Sequence, residues 1–274
     1  LRHDRNDPGV GELLRETRAL VESPVLDGIY ANHCLEHGDL ATARSVWTAL
    51  LAEPHHERRV RLTWRFALMR TCRDLGDDEA ALALMRDAGR YGTEEVARLQ
   101  AHLANPQASP ERTRTRVVLP VPFVRQDHLT CSPATMASLL ATFGVHEDQR
   151  EIARQITVDG TASHDEMVWA EARGLVVRWF QFDTDIARQL LDRGLPFAIT
   201  TRFESSSHRQ ALVGYDRVLD TFILRDPTGN FRREVPTAWL ERVARRGGEC
   251  ALLLPAEVAA RHELPPLPLE HETL

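Results

Sequence analysis

The sequence predicts an α+β chain in two parts: an all-α helical-repeat region over residues 1–104, then a domain over 117–254 in which a helix packs on an antiparallel sheet. Three observations carry this. From Gly11 to about Asn105 apolar residues recur at three- and four-residue spacing with no strand-like run, which is helical periodicity. The segment 105–116, NPQASPERTRTR, is polar, holds two prolines and has no period, so it reads as a linker. Beyond it, short apolar runs alternate with helical patterns. At 274 residues and 43% apolar content the chain can bury one large core or two modest ones.

The helical region contains a repeat. Cys34, Gly38, Asp39 and Ala43 in CLEHGDLATA recur 38 residues later as Cys72, Gly76, Asp77 and Ala81 in CRDLGDDEAA. Glycine ends one helix at little steric cost, aspartate caps the next, and the small alanines let the two approach closely. The pattern resembles degenerate tetratricopeptide repeats, whose period is roughly 34 residues. Paired helical repeats commonly form concave surfaces, so a peptide or protein partner on this face is an expectation of the resemblance.

In the second part the expected strands are RVVLPVPF, LVVRWFQF, LPFAITTRF, RQALVGYD, TFILRD and ECALLL. The expected helices lie at Pro133 to Phe143, His164 to Arg173, Asp185 to Asp192 and Pro236 to Ala244. Strands that cluster late in the chain, behind an early helix, suit an antiparallel sheet covered by that helix. Residues 255–274, with LPPLP and an acidic end, read as a flexible tail.

Composition removes several classes of function. All 34 basic residues are arginine, so Schiff-base, phosphate-loop lysine and Ser/Lys chemistries are closed. The arginines are interleaved with acids and the net charge is −6, which argues against nucleic acid as a partner. Apolar stretches fall far short of a membrane span. Four scattered cysteines, with no CxxC pair, suit a reducing compartment, and a cytoplasmic location is the expectation. The chain starts at Leu1, as a piece of a longer protein would.

Cys131 carries the chemistry. Pro133 suits a first helical position and so sets Cys131 at a helix start, where the dipole and unpaired N–H groups favour a thiolate. Gln126, five residues earlier, can aim its amide at the reacting centre and form an oxyanion hole with the Cys131 backbone N–H. His208 stands at the entry of one apolar strand and Asp226 at the exit of the next, which lets imidazole and carboxylate lie side by side. Neither a metal nor an organic cofactor is required.

Gln126 in VPFVRQ, Cys131 in TCSPATMASLL, His208 in SHRQALVGYD and Asp226 in ILRDP occur in the chain order of a known family. Val117 to Leu254 resembles the papain-like cysteine peptidases of the bacteriocin-processing, double-glycine leader peptidase type. The resemblance implies a peptidase or amidase acting on a peptide or peptide-tagged precursor. Two positions depart from the family: Ser132 replaces the usual Gly, putting a side chain where the substrate carbonyl should approach, and Arg209 and Gln210 follow the histidine in place of an aromatic or β-branched residue.

Two other functions fit the same residues: an acyltransferase using the same thioester, and a non-catalytic binding module. Each candidate also has an ordinary reading. A cysteine at a helix start is commonly a small buried residue, Gln126 can be a solvated loop residue beside Asp127, and Asp226 a turn aspartate. His33 and His37, one helical turn apart beside Cys34, could form a metal pair, but the recurrence of Cys34 at Cys72 favours a repeated core slot. His55 and His56 read as solvated turn residues.

Overall fold

The computed structural model describes residues 8–53, 57–89, 93–105, 115–202, 206–229, 231–244 and 249–268. The turn holding His55 and His56, and most of the 105–116 segment, lie outside them. The chain divides into two compact units, Leu1–Arg116 and Val117–Leu274.

The first unit is helical: α1 (Pro8–Leu20), α2 (Pro24–Glu36), α3 (Leu40–Ala52), α4 (Arg58–Asp74), α5 (Asp78–Asp87) and α6 (Thr93–Ala104). Each helix packs on the next. The sequence repeat is a geometric one: Gly38 and Gly76 both adopt left-handed φ, at 79° and 74°, the conformation that costs glycine least. Asp39 accepts from the backbone N–H of Thr42 and Asp77 from that of Ala80, both at 3.1 Å. Caps of this kind each stabilise a helix by about 1 kcal/mol. Cys34 and Cys72 are buried in equivalent turns, each carbonyl accepting from the capping aspartate's N–H at 2.9 Å. Arg44 joins the two repeats through Asp77 at 2.7 Å. His33 and His37 stack at 4.0 Å, and no group of three or more metal-binding side chains occurs among the described residues.

The second unit has strands β1 (Arg116–Val118), β2 (Leu175–Gln181), β3 (Phe197–Arg202), β4 (Ser207–Asp216), β5 (Thr221–Arg225), β6 (Arg232–Pro236) and β7 (Glu249–Pro255). They form one sheet in the order β2-β7-β3-β4-β5-β6, with β1 on β4, and the neighbours along that path are antiparallel. The helices are α7 (Cys131–Thr142), α8 (Gln149–Ile156), α9 (Ser163–Glu171), α10 (Thr184–Asp192), α11 (Thr237–Ala244) and α12 (Ala256–Ala259).

Both faces of the sheet are covered, where the sequence led us to expect one covering helix. Leu139 of α7 packs with Ala198, Ala211, Val213, Ile223 and Ala251 on one face. Met136 and Leu140 join Ile152 of α8 and Trp169 of α9 in a second cluster. On the opposite face Leu190 and Leu191 of α10 and Leu240 of α11 meet Phe197, Leu212, Phe222 and Leu252. Removing one such leucine side chain costs about 2–5 kcal/mol.

Three elements were not expected. Strand β6 exposes Arg233 and Pro236 and fully buries only Val235, as an edge strand does. Helix α8 is short but strongly amphipathic, burying Gln149, Ile152 and Ile156. The segment read as a flexible tail forms α12, packs Leu264 and Leu267 on the core, and accepts from Gln181 N–H at Pro268 O, 3.0 Å.

Candidate functional site

Helix α7 begins at Cys131 with Thr130 as its N-cap, so Pro133 is the third helical residue and not the first. The consequence for the thiol is unchanged, because the N–H groups of the first turn have no intrahelical partner. The approach to the helix is fixed by the preceding loop. Thr130 Oγ1 accepts from Asp127 N–H at 2.8 Å, and the Asp127 carboxylate accepts from Gln149 Nε2 (3.2 Å) and Arg150 Nε (2.9 Å) of α8. These contacts hold Leu129 at φ 57°, a conformation unfavourable for a branched side chain. Strain of that sort persists only where the surroundings over-determine it.

His208 lies on β4 and Asp226 directly follows β5, so the β4–β5 pairing brings them to the same end of the sheet. His208 Nε2 bonds Asp226 Oδ1 at 2.8 Å. The thiol of Cys131 is hydrogen-bonded to the same imidazole. The other donors to Asp226 Oδ1 are the N–H (2.9 Å) and hydroxyl (2.7 Å) of Thr228. Hydrogen bonds therefore run from carboxylate to imidazole to thiol.

The electrostatics follow from these contacts. Burial opposes ionisation of Asp226, but the His208 and Thr228 bonds outweigh it and hold the carboxyl down at about 2. Burial likewise disfavours imidazolium, yet Asp226 and Cys131 push His208 up to about 9. The Cys131 thiol is raised by burial, then carried below its ordinary value by His208 and by the backbone N–H groups of Arg209 and Ser132. In Cys34, Cys72 and Cys250 burial pushes the thiol up. Among the four cysteines, Cys131 alone is poised toward thiolate.

Gln126 reaches the same loop through its backbone, whose N–H donates to Pro227 O at 3.0 Å. Its Oε1 is buried without a hydrogen-bond partner among the described residues. No hydrogen bond joins the Gln126 side chain to Cys131, His208 or Asp226.

Ser132 does not obstruct the thiol. It is 3% exposed and donates inward to Glu166 Oε1 at 2.5 Å. Arg209 also turns into the interior: Nη2 donates to Glu166 Oε2 at 2.9 Å and Nη1 to Thr200 Oγ1 (2.7 Å) and Glu249 O (3.0 Å). Its guanidinium lies over the Trp179 ring, 5.0 Å from the centroid. Glu166 carries no local sequence signal, since its partners are 34 and 43 residues away. The only hint in the sequence is that Ser132 and Arg209 are both unusual at their positions.

A sheet with a cysteine-headed helix on it, and a histidine and an aspartate at its end, defines a domain of the cysteine-peptidase type. Comparison with known proteins gives the closer statement. Residues 118–245, just under half the chain, match the model of a family described as "Peptidase_C39 like family", so the second unit is similar to C39-like, papain-like cysteine-peptidase domains. The match includes no part of the helical unit. Among solved structures, the peptidase domain of Streptococcus ComA, a bi-functional ABC transporter involved in a quorum-sensing pathway, aligns at 17% identity with a TM-score of 0.42, covering 52% of this chain and 99% of that one. No curated protein matches.

Proposed function

We propose that the protein is a cysteine-nucleophile hydrolase that cleaves a peptide or peptide-tagged precursor through an acyl-enzyme on Cys131. The observation that carries this reading is the hydrogen-bonded line from Asp226 through His208 to Cys131, with the thiol lowered and the imidazole raised to about 9. Those displacements favour a thiolate–imidazolium pair at neutral pH.

The thiolate attacks the scissile carbonyl carbon, and the carbonyl π electrons move onto oxygen. Gln126 Nε2 and the Cys131 backbone N–H stabilise that oxyanion. Collapse breaks the C–N bond while the imidazolium passes its proton to the leaving amine, giving a thioester and neutral His208. Water then gives a proton to His208 as its oxygen attacks the thioester. The second collapse releases the carboxylic acid and restores thiolate and imidazolium. Asp226 holds the ring in the orientation both transfers need.

An acyltransferase would differ only in the acceptor, an amine in place of water. Among the described residues no helix is long and apolar enough to cross a membrane. Four unpaired cysteines support a reducing, cytoplasmic setting. The repeated Gly-Asp turns support a tetratricopeptide-like role for the helical unit, holding the precursor or a protein partner.

The test is peptide turnover with and without added amine, in wild type and Cys131→Ala. Hydrolysis that is lost in Cys131→Ala and indifferent to amine supports the hydrolase. Product formed only with amine makes it a transferase. Equal turnover in both proteins, or Cys131 alkylating no faster than Cys250 at neutral pH, overturns the reading.

A further inference from the structure

The residue after the nucleophile and the residue after the base are joined by one buried carboxylate. Glu166, 6% exposed on α9, accepts from Ser132 of α7 with one oxygen and from Arg209 of β4 with the other. The same two residues touch the thiol, because the backbone N–H groups of Ser132 and Arg209 both bond to Cys131. A second contact, Thr135 Oγ1 to Arg209 O at 3.1 Å, ties α7 to the same point of β4. Helix α9 is itself fixed at its start by Ser163, which donates to Glu249 Oε2 of β7 at 2.7 Å.

We infer that Glu166 is a positioning residue: it locks the thiol-bearing helix to the imidazole-bearing strand and so sets the register between Cys131 and His208. The inference rests on the hydrolase reading of the site. Its physical basis is the energetics of buried ion pairs. Taking a carboxylate and a guanidinium out of water costs about as much as their attraction returns, so an apolar filling of the same volume would hold the helix on the sheet at least as well. Apolar side chains would not fix its rotation and height. Two charge-assisted hydrogen bonds from one planar carboxylate do, since each is directional and a misplaced partner leaves a buried charge unsatisfied. The charged groups around Glu166 are Arg209 from β4 and, beyond Ser163, the Glu249 carboxylate from β7; from α7 it meets the neutral Ser132.

The experiment reads Cys131 directly and needs no substrate. Iodoacetamide alkylation of Cys131, followed by peptide mapping from pH 4 to 9, is compared in wild type, Glu166→Gln and Ser132→Ala. Glu166→Gln removes the charge that Arg209 needs; Ser132→Ala cuts the link to α7 and leaves the ion pair, so it folds even where the first variant does not. In both, the pH at which the thiolate appears moves upward, with alkylation on the acid limb slowed about tenfold in Glu166→Gln and about threefold in Ser132→Ala. Variants that melt lower but keep the wild-type alkylation profile make Glu166 a purely structural residue and overturn the inference. A wild-type Cys131 with ordinary thiol reactivity is a different result, and defeats the hydrolase reading itself.

Discussion

Replacing Asp226 by Asn removes the charge behind the imidazole while keeping an oxygen that can accept from Nε2. His208 titrates at about 9 against an ordinary 6.5. That difference of about 2.5 units, at about 1.4 kcal/mol each, is a preference for imidazolium of about 3 kcal/mol, supplied by the carboxylate and the thiol against burial. Without the carboxylate the thiol alone opposes burial, and His208 is expected to titrate at about 7 or below. At pH 7 the imidazolium fraction then falls about twofold, whereas at pH 8.5 it falls about 25-fold, from about 0.8 to about 0.03. Turnover should therefore lose its alkaline side first. The direct assay is an NMR titration of the His208 ring in Cys131→Ala and in Cys131→Ala/Asp226→Asn, which removes the thiol from the comparison. The ring should titrate above 6.5 in the first and below it in the second. Indistinguishable midpoints would refute the role assigned to Asp226.

Cys131→Ala should abolish turnover and leave the melting temperature within about 2 °C of wild type, because the side chain it shortens sits at a helix start and fills no core cluster. Gln126→Ala should lower kcat by about 10²-fold with little change in KM, as loss of one oxyanion donor does; a change confined to KM would place Gln126 in substrate binding instead. The ion pair should also appear in stability measured by urea midpoint in Cys131→Ala. Because the folded His208 value is raised, its contribution is full below about pH 6.5 and is lost as pH rises through the folded value, which is about 9 with the thiol present. Because the Asp226 value is depressed, its share is present above about pH 4 and is lost as pH falls through about 2. Gly214→Ala should destabilise by at least about 2 kcal/mol, since a Cβ there would lie 2.2 Å from Val117 O where β1 meets the bulged part of β4; an unchanged urea midpoint would count against that packing.

Much of this was legible locally. The strands around Val177, Ile199, Val213 and Ile223 announce themselves as apolar runs, and the late clustering of strands pointed to one antiparallel sheet. What escaped has a common cause. Strand β6 buries Val235 alone and leaves its arginines and glutamate exposed or half-buried because it is an edge. Helix α8 buries two apolar residues, Ile152 and Ile156, against three in the equally long α11, so its stripe does not stand out from a loop. The second covering layer, α10 and α11, was recognised as helices, but which face of the sheet they occupy is a matter of connection and not of composition. That Cys131, His208 and Asp226 come together was readable, because their chain order and flanking elements constrain where they meet. Glu166 was not, because a carboxylate on a short helix between Asp165 and Met167 gives no sign that it points inward.

The two departures that made the sequence look like a weakened site take on another sense in three dimensions. A lone Ser132 side chain in the interior would leave a hydroxyl without its carboxylate partner, and a lone buried Arg209 would leave an unpaired cation in the interior; each change alone is destabilising by a few kcal/mol. Together with Glu166 they satisfy one another, and the Glu166–Arg209 pair sums to zero charge. Arg209 meets the thiol through its backbone N–H, and the charge that favours the thiolate is the His208 imidazolium. The thiolate–imidazolium pair therefore exists only between two titrations: it is lost at low pH when the thiol takes up its proton and at high pH when the imidazolium gives its proton up.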